Sequence, residues 1–334
     1  MHAAWYEAQG PAEQVLRCGW LPVPEPGRGE LRIRLRHSGV NPGDVKKRGD
    51  AFGYGMAFPR VVPHSDGAGI VDRVGPGVSQ ARLGQRVWCH GAQRGRPMGT
   101  AAQWVVLPAM LAVPLPDSVP LALGACLGIP GLTAHRAVHA AGPVLGRTVL
   151  VHGGAGAVGS LAIGLARQAG AQVLATVRRP EAQALARAAG AHAVVCSAGQ
   201  PVADTAAALR ALAPQGVDHV VDVDLAAHLA LNQAVLRVGG HIAAYASGDP
   251  QPRLPFWPML FQNLVLHLLG SDDFTPRQRR DAVGALNRLL ASGWRGIHIA
   301  CHLPLEAVVQ AHQTVEQASG QGRVLLDMPE DTDA

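Results

Sequence analysis

The sequence predicts an α/β protein in which a doubly wound parallel sheet follows a β-rich N-terminal region. From Arg147 onward, short apolar runs alternate with helical segments, which is the order of a parallel sheet with right-handed crossovers. Before residue 125, glycine and proline separate short runs such as 31–36, where apolar and polar residues alternate strictly. That alternation is typical of half-buried antiparallel strands. With 334 residues, the chain is long enough for two domains with separate cores.

The predicted elements are assigned in chain order. In the N-terminal region, strands are expected at 31–36, 68–75, 85–89 and 103–107, followed by an Ala/Leu-rich helical region at 120–145. The next strands are expected at 148–152, 172–177, 193–196, 217–223 and 241–246, and the helices between them at 158–169, 180–189, 205–212 and 228–236. Beyond residue 270 the sequence predicts a helix at 276–292, a strand at 297–302, a helix at 304–317 and a strand at 323–327.

Composition excludes several classes of protein. Hydrophobic residues make up 48% and charged residues 16% of the chain, which is a globular rather than a disordered balance. The N-terminal segment lacks the features of a signal peptide, and no apolar run reaches about 18 residues, so we expect a soluble cytoplasmic protein with no membrane contact. The five cysteines are odd in number and form no CxxC pair, which favours free thiols in a reducing compartment.

Charge and aromatic content argue against nucleic-acid binding. The formal net charge is +5, but the arginines are scattered along the chain and only Lys46 and Lys47 are lysines. A nucleic-acid surface needs a clustered basic face with interleaved aromatic residues, and the whole chain has six Trp, three Tyr and five Phe. We therefore expect no nucleic-acid partner.

A glycine-rich segment after the strand at 148–152 is the strongest functional signal. It comprises Gly153, Gly154, Ala155, Gly156, Ala157, Val158 and Gly159, and an apolar helical segment follows it. Three of its glycines match the GxGxxG pattern between a strand and a helix, where the backbone turns tightly and approaches a pyrophosphate at the helix N-terminus. The segment predicts dinucleotide binding, with a plain glycine-rich turn as the alternative.

Two arginines at the end of the next strand favour NADPH. NAD enzymes normally place an Asp or Glu about 20 residues after the first glycine, where it binds the ribose 2′-hydroxyl. Here Arg178 and Arg179 follow the strand at 172–177, and their guanidinium groups suit a 2′-phosphate. The alternative is that both side chains only face solvent.

Several blocks of sequence resemble the zinc-independent quinone oxidoreductases, which include ζ-crystallin and belong to the medium-chain dehydrogenase/reductase superfamily. The blocks run in the family's order from about residue 3 to residue 327, and they include 39–44 (GVNPGD), 63–69 (PHSDGAG), 127–137 (LGIPGLTAHRA) and 322–327 (GRVLLD). The resemblance implies a Rossmann domain inserted in a GroES-like β-rich catalytic domain. It places the first part of the catalytic domain at 1–125, the NADP-binding domain at 126–268 and the return to the catalytic domain at 269–334.

The resemblance also bears on zinc. Zinc alcohol dehydrogenases of this superfamily carry a Cys, a GHE motif and a further Cys as catalytic ligands. At the matching positions this sequence has Asn41, the pair Ser65–Asp66 and Ile129, so we predict no metal site. Alcohol oxidation requires stabilisation of an alkoxide, which zinc provides as a Lewis acid, whereas reduction of a quinone or a conjugated carbonyl does not.

The family places an Asn and a Thr near the nicotinamide end of the cofactor, and they correspond to Asn41 and Thr133. The alternatives are a simple Asn-Pro turn and a mid-helix hydroxyl bonded to its own backbone. Several relatives place tyrosines after the Asn-Pro motif to line the substrate pocket, where this chain has Lys46, Phe52 and Tyr54. Lys46 is then either a proton or hydrogen-bond donor or a solvated surface group.

Further cofactor contacts follow from the resemblance alone. Tyr245 and Ser247 correspond to the segment beside the nicotinamide ribose, and Phe274 belongs to the loop that borders the ring. Arg323 corresponds to a basic residue expected to reach the cofactor phosphates. Ser197 stands where some relatives have a Tyr that touches the 2′-phosphate.

The leading functional hypothesis is an NADPH-dependent, zinc-free reductase of quinones. The second hypothesis keeps the fold and cofactor but takes the C=C bond of an enal or enone as acceptor. The third is a nucleotide-binding protein without turnover, because a fold does not fix a function. The family also suggests a homodimer, so the expected partners are a small quinone or enone substrate and a second copy of the chain.

Overall fold

The computed structural model describes residues 1–317 and 322–329, and the chain divides into two compact units. The first unit comprises Met1–Ile129 and the described residues from Ile299 onward, and the second comprises Pro130–His298. The predicted α/β class is confirmed, with a largely antiparallel sheet in the first unit and a parallel sheet in the second. Among the described residues, no helix is long and apolar enough to cross a membrane.

The first unit begins with short strands and one long central strand. Its elements before residue 128 are β1 (His2–Trp5), α1 (Ala12–Val15), β2 (Arg17–Trp20), β3 (Glu30–Val40), α2 (Pro42–Arg48), β4 (Asp66–Val74), β5 (Arg86–Cys89), β6 (Trp104–Pro108), β7 (Ala112–Pro114) and α3 (Leu121–Gly124). Strand β3 is central because it pairs antiparallel with both β4 and β6. Its alternating residues Leu31, Ile33 and Leu35 are buried, as the strict alternation of the sequence predicts.

The second unit is a doubly wound parallel sheet. Its elements are α4 (Gly128–Val138), β8 (Thr148–Val151), α5 (Ala157–Gln168), β9 (Gln172–Val177), α6 (Ala182–Ala189), β10 (Ala193–Cys196), α7 (Val202–Leu212), β11 (Val217–Asp222), α8 (Leu225–Val235), β12 (Leu236–Ala244), α9 (Phe256–Phe261), β13 (Val265–Leu268) and α10 (Pro276–Ala291). The strand order is β10-β9-β8-β11-β12-β13, and every pairing in it is parallel. The order reverses between β8 and β11, and ligands bind at the carboxyl ends of strands at such a switch point.

The chain then returns to the first unit. The returning elements are β14 (Ile299–Pro304), α11 (Val308–Glu316) and β15 (Arg323–Asp327). Strand β15 pairs antiparallel with β3 and parallel with β14, so strands from both ends of the chain share one sheet.

The second unit spans Pro130–His298, whereas 126–268 was expected. Its end lies later in the chain because helix α10 is part of this unit. A Cβ on Gly131 of α4 would lie 2.7 Å from Leu286 Cδ1 of α10, so these two helices pack closely. After α10, Trp294 Nε1 donates a hydrogen bond of 2.9 Å to Ala189 O. These contacts bury one face of α10 within the second unit, and the chain leaves the unit only after His298.

Candidate cofactor-binding and catalytic sites

The glycine-rich segment forms the turn between β8 and α5. Gly153 has a φ of +65°, in the left-handed region that favours glycine, and its carbonyl accepts a hydrogen bond of 2.8 Å from Gly156 N. A Cβ on Gly159 would lie 2.2 Å from Gly153 O, so only glycine allows the helix to pack this closely on the turn. Gly156 is exposed, which leaves the outer side of the turn accessible to a ligand.

Helix α5 begins immediately after this turn. The N–H groups of Ala157, Val158 and Gly159 belong to its first turn, where they have no intrahelical acceptor. Together with the helix dipole they favour an anion at the helix N-terminus, next to Ala155 and Gly156 of the turn. The turn and helix therefore fit the pyrophosphate of a dinucleotide.

A buried hydrogen-bond network lies beside the turn. His152 directly precedes Gly153, and its ring nitrogens lie 2.7 Å from Thr176 Oγ1 and 2.8 Å from Asn232 Oδ1. Asn232 Nδ2 donates to Asp222 Oδ2 at 2.6 Å, so Asn232 Oδ1 is oriented to accept the proton of His152 Nε2. Burial lowers the pKa of His152 to about 4, so the neutral ring accepts the Thr176 hydroxyl proton at Nδ1.

The network connects the carboxyl ends of β8 and β11, the two strands at the switch point. Asp222 ends β11 and accepts hydrogen bonds from His228 Nδ1 at 2.7 Å and from Asp224 N at 2.9 Å. The rings of His152 and His228 stack with their centroids 4.1 Å apart. None of these residues was predicted as a site residue. The sequence does carry a detectable signal, because each of two apolar strand runs ends at a polar residue, His152 in one and Asp222 in the other.

The two candidate phosphate-binding arginines lie at the carboxyl end of β9. Arg178 and Arg179 are both exposed. Gly154 N donates to Thr176 O at 3.0 Å, which ties the glycine turn to the same strand end. Ser197 N donates to Val177 O at 2.9 Å, so Ser197 also lies beside this strand end. The glycine turn, both arginines and Ser197 therefore share one edge of the parallel sheet.

A pocket of about 510 Å³ opens at the carboxyl ends of β12 and β13. Tyr245 and Ser247 line it, together with apolar residues such as Leu254, Leu266 and Leu268. Tyr245 N donates to the Asp222 carbonyl at 3.1 Å, and burial raises the pKa of its phenol. Both residues that the resemblance assigns to the nicotinamide end thus border a largely apolar pocket at the ligand-binding edge of the sheet.

Thr133 and Phe274 are buried in the second unit. Thr133 lies on α4 and is 5% exposed. Phe274 packs with Leu132 and Ala282 in a small apolar cluster between α4 and α10. The ring of Phe274 thus contributes to the core of the unit, and its expected place beside the nicotinamide ring stays a prediction.

In the first unit, Asn41, Asp66 and Arg323 form a buried polar cluster. Asn41 Nδ2 donates to Asp66 Oδ2 at 2.8 Å, and Arg323 donates to Asn41 Oδ1 at 2.7 Å and to Asp66 Oδ2 at 3.3 Å. Asp66 Oδ1 accepts the N–H of Ile129 at 2.8 Å. Burial raises the pKa of Asp66, and the charge of Arg323 opposes this shift.

Arg323 has further hydrogen-bond partners in this cluster. Its guanidinium also donates to Val40 O at 3.1 Å and Ala125 O at 3.4 Å, and the side chain is 2% exposed. A Cβ on Gly39 would lie 2.2 Å from Arg323 Nη2, so this glycine leaves room for the guanidinium. The guanidinium of Arg323 is therefore bonded within the first unit, and its expected contact with the cofactor phosphates stays a prediction.

Helix α2 positions Asn41. Asn41 is its N-cap residue, its backbone N–H donates to Asp44 Oδ2 at 2.8 Å, and Pro42 occupies the first helical position. Asp44 is buried, and burial together with the neighbouring Asp66 carboxylate raises its pKa to about 7, despite the hydrogen bond from Asn41.

A chain of buried hydrogen bonds passes through histidines of the first unit. Arg48 Nε donates to His312 Nδ1 at 3.3 Å, so the neutral His312 ring carries its proton on Nε2. His312 Nε2 then donates to His64 Nε2 at 3.0 Å, and His64 Nδ1 donates to Ser38 Oγ at 2.9 Å. Burial lowers the pKa of both histidines, which keeps the pair neutral.

This series of hydrogen bonds ends at the backbone carbonyl of Asp66, in the Asn41 cluster. Ser38 Oγ lies 2.8 Å from Thr100 Oγ1, and Thr100 donates to the Asp66 carbonyl at 2.7 Å. His64 has a φ of +76°, a left-handed conformation that costs free energy for a residue with a Cβ. The contacts of its ring hold that conformation beside Ser65 and Asp66.

The segment after α2 forms an aromatic pocket in the first unit. Phe52 and Tyr54 stack with ring centroids 5.9 Å apart, and Tyr54 is 88% exposed. They line a pocket of about 190 Å³ that Met56 and Phe58 also border. Lys46 is exposed on α2, and its neighbour Lys47 lines the pocket instead.

Comparisons with known proteins agree with both units. Residues 27–117 match the family model described as alcohol dehydrogenase GroES-like domain, and residues 157–285 match the model described as zinc-binding dehydrogenase. The quinone oxidoreductase of Mus musculus is 30% identical over 323 residues, which cover 96% of each chain. The chain belongs to the quinone oxidoreductase family of the medium-chain dehydrogenase/reductase superfamily. The resemblance inferred from the motifs is thereby confirmed.

Solved structures of family relatives share the fold. A mycobacterial protein in complex with NADPH has a TM-score of 0.85 and 30% identity, covering 98% of this chain and 100% of its own. An NAD-dependent alcohol dehydrogenase has a TM-score of 0.87 and 28% identity, with the same coverage. These relatives confirm the GroES-like and Rossmann-like domains. The protein described here is therefore an oxidoreductase with a nicotinamide cofactor.

Proposed function

We propose that this oxidoreductase uses NADPH to reduce a quinone and that it does so without zinc. The observation that carries the proposal is the exposed pair Arg178 and Arg179 beside the glycine turn, in a chain whose relatives include quinone oxidoreductases. A 2′-phosphate accepts charge-assisted hydrogen bonds from such guanidinium groups, each contributing about 1.5–3 kcal/mol. A ribose 2′-hydroxyl carries no charge for the arginines to bind, so NADPH is favoured over NADH.

The absence of zinc from the mechanism is supported by the Asn41 cluster. Zinc at the position used by zinc-dependent relatives would need ligands at Asn41, Ser65–Asp66 and Ile129, and Ile129 has no ligand atom in its side chain. Both Asp66 oxygens already accept hydrogen bonds, and the Arg323 guanidinium supplies the positive charge beside them. A zinc ion there would be repelled by Arg323, so this donor set does not fit it.

The proposed mechanism relies on binding and orientation. NADPH supplies a hydride when bound, and this hydride and one proton convert a quinone to a hydroquinone. The N-terminus of α5 binds the pyrophosphate, and Arg178 and Arg179 bind the 2′-phosphate. Phe52 and Tyr54 offer stacked aromatic rings against which a flat quinone packs.

The remaining groups position the reactants. We assign Asn41 and Thr133 to the nicotinamide end of the cofactor, where an amide and a hydroxyl group can form hydrogen bonds. Hydroquinone oxygens are only weakly basic, so solvent can protonate them. Catalysis then arises chiefly from proximity and desolvation.

A steady-state assay of NADPH oxidation across quinones, enones and alcohols tests this proposal. We expect quinones to give the highest kcat/KM and alcohols to give no turnover in the reverse direction with NADP+. Preferential reduction of enones would support the second hypothesis. NADPH binding without turnover of any acceptor would support the third, a nucleotide-binding protein.

We also propose a homodimer formed through the edge of the parallel sheet. Strand β13 is the last strand of that sheet, and its Val265 and Leu268 are exposed. In α9, Phe256, Trp257 and Phe261 are each more than 60% exposed. A two-fold axis pairs an edge strand with its own copy antiparallel, which satisfies the open backbone and covers these aromatic rings. Light scattering should give twice the monomer mass, and Leu268→Arg should shift it towards the monomer.

A further inference from the structure

We infer that His37, His302 and Asp327 form a Zn²⁺-binding site, separate from the proposed cofactor and quinone sites. His37 Nδ1 lies 2.7 Å and His302 Nδ1 lies 2.9 Å from the same oxygen, Asp327 Oδ1. The three candidate ligand atoms all lie within 4.8 Å of one another. Two imidazole nitrogens and one carboxylate oxygen are ligand types that zinc prefers.

Three adjacent strands hold these side chains. Asp327 on β15 is the register partner of His37 on the antiparallel β3, and His302 lies on β14, the parallel neighbour on the other side of β15. The two imidazole rings are nearly perpendicular, at 74°, with centroids 5.6 Å apart. The hydrogen-bonded backbone of the three strands therefore preorganises the site, and both Nδ1 atoms face one point.

The geometry requires only a small rearrangement to accept the ion. Zinc–ligand distances of about 2.0–2.2 Å separate tetrahedral ligand atoms by about 3.3–3.6 Å, so each hydrogen-bonded pair must open by less than about 1 Å. His302 and Asp327 are 42% and 41% exposed, which gives their side chains room to move. Each neutral ring moves its proton to Nε2 and presents the Nδ1 lone pair to the metal. Water fills the fourth position of such a three-ligand site.

A second cluster in the chain provides an internal comparison. His152, Asp222 and His228 also bring three potential ligand atoms together. Both ring nitrogens of His152, however, are engaged by Thr176 and Asn232 in the buried network beside the glycine turn. Metal binding there would break that network, whereas at the His37 site it replaces hydrogen bonds to one half-exposed carboxylate.

The proposed site links both ends of the chain. His37 and Asp327 are 290 positions apart, and His302 belongs to the returning segment. A bound ion would cross-link β14 and β15 to β3 within the first unit. Because the unfolded chain does not hold the three ligands together, Zn²⁺ would stabilise the native state.

The test uses the tag-free full-length protein after exhaustive chelation. Calorimetric titration with Zn²⁺ should give one ion per chain and a higher thermal unfolding temperature, and Mg²⁺ should give neither. His37→Ala and His302→Ala should each weaken Zn²⁺ binding at least tenfold. His298→Ala removes an exposed histidine outside the cluster and should bind Zn²⁺ like the unaltered protein. NADPH oxidation should be unchanged in His302→Ala, which separates this site from the proposed catalytic function.

Absence of saturable Zn²⁺ binding to the unaltered protein would overturn the inference. Equal affinity in the unaltered protein and the His37 and His302 variants would also overturn it, because the ion would then lie on other histidines. Circular dichroism verifies that each variant is folded. Should a histidine variant unfold, Asp327→Asn provides the same test with a side chain of the same shape, and unchanged affinity in that variant would contradict the site.

Discussion

Arg323 donates a hydrogen bond of 2.7 Å to Asn41 Oδ1, so a residue of the last strand holds the asparagine that begins α2. Asn41 in turn donates to Asp66, and it thereby joins a buried guanidinium to a buried carboxylate. The family resemblance implies separate roles for the two residues, Asn41 at the nicotinamide and Arg323 at the phosphates. In the folded chain they form one cluster, and the positioning of Asn41 depends on the C-terminal return.

Replacing Asp66 tests the energy of this cluster. Asp66→Ala leaves the Arg323 guanidinium buried without its counter-charge, and removal of one partner of a buried pair costs about 3–5 kcal/mol. Urea unfolding should show this loss of stability. Asp281→Ala, which removes one partner of the exposed pair with Arg277, should cost less than about 0.5 kcal/mol. A similar small loss for both variants would contradict the importance of the buried pair.

Asp44 should make stability depend on pH. Its pKa is about 7 in the folded protein and 3.8 in the unfolded chain, so between these values the folded state holds a proton that the unfolded state has released. This contribution to stability is fully present below about pH 4 and is lost as pH rises through 7. Asp44→Asn cannot ionise, so its stability relative to the unaltered protein should rise across this window, by up to about 4 kcal/mol.

Urea unfolding at several pH values between 4 and 8 measures the effect of Asp44. Asp281→Asn makes the same chemical change at an exposed position and controls for the loss of one charge. A constant stability difference between Asp44→Asn and the unaltered protein across the whole range would refute the raised pKa.

The cofactor preference depends on the arginines after β9. Arg178→Glu combined with Arg179→Ala should raise the KM for NADPH by about 100-fold or more, because the charge-assisted bonds of both guanidinium groups to the 2′-phosphate are lost. The KM for NADH should change little. Arg187→Ala, on the exposed face of α6, should leave both constants unchanged. Equal kinetics of the unaltered enzyme with both cofactors would refute the NADPH preference.

The quinone hypothesis requires no dedicated proton donor. Lys46→Ala and Tyr54→Phe should each change KM or acceptor preference but leave kcat within about tenfold, since a general acid usually contributes about 10² to 10⁴. Fluorescence titration with NADPH verifies that the cofactor still binds. A thousandfold drop in kcat for either variant would reveal a proton donor and would favour the enone reductase, whose enolate must be protonated.

Local sequence patterns predicted most of the second unit. Strands β9 and β10 have the predicted bounds because they are short apolar runs that end at turn-forming residues. Strand β13 was not predicted, since it has only four residues and a short apolar run such as 264–269 does not by itself distinguish a strand from a helical segment. The region 120–145 was predicted as one helical stretch, but α3 and α4 occupy it as two helices.

Some features of the candidate sites were likewise predictable from the sequence, and others were not. The glycine turn was predictable, because the φ of Gly153 and the close approach at Gly159 depend on neighbouring residues. The burial of Arg323 was not, because it depends on pairing between β15 and β3, which lie far apart in the sequence. The cluster of His37, His302 and Asp327 arises from the same pairing, and spacing along the chain gives no sign of it.

The central claim is zinc-free reduction of a quinone by NADPH. Its most direct test is the kcat for NADPH oxidation with a quinone, measured on protein whose metal content after exhaustive chelation is verified by elemental analysis. We expect the chelated enzyme to reduce the quinone at the rate of the untreated enzyme, and added Zn²⁺ to leave that rate unchanged. Loss of quinone reduction on chelation, with recovery when Zn²⁺ is restored, would contradict the claim.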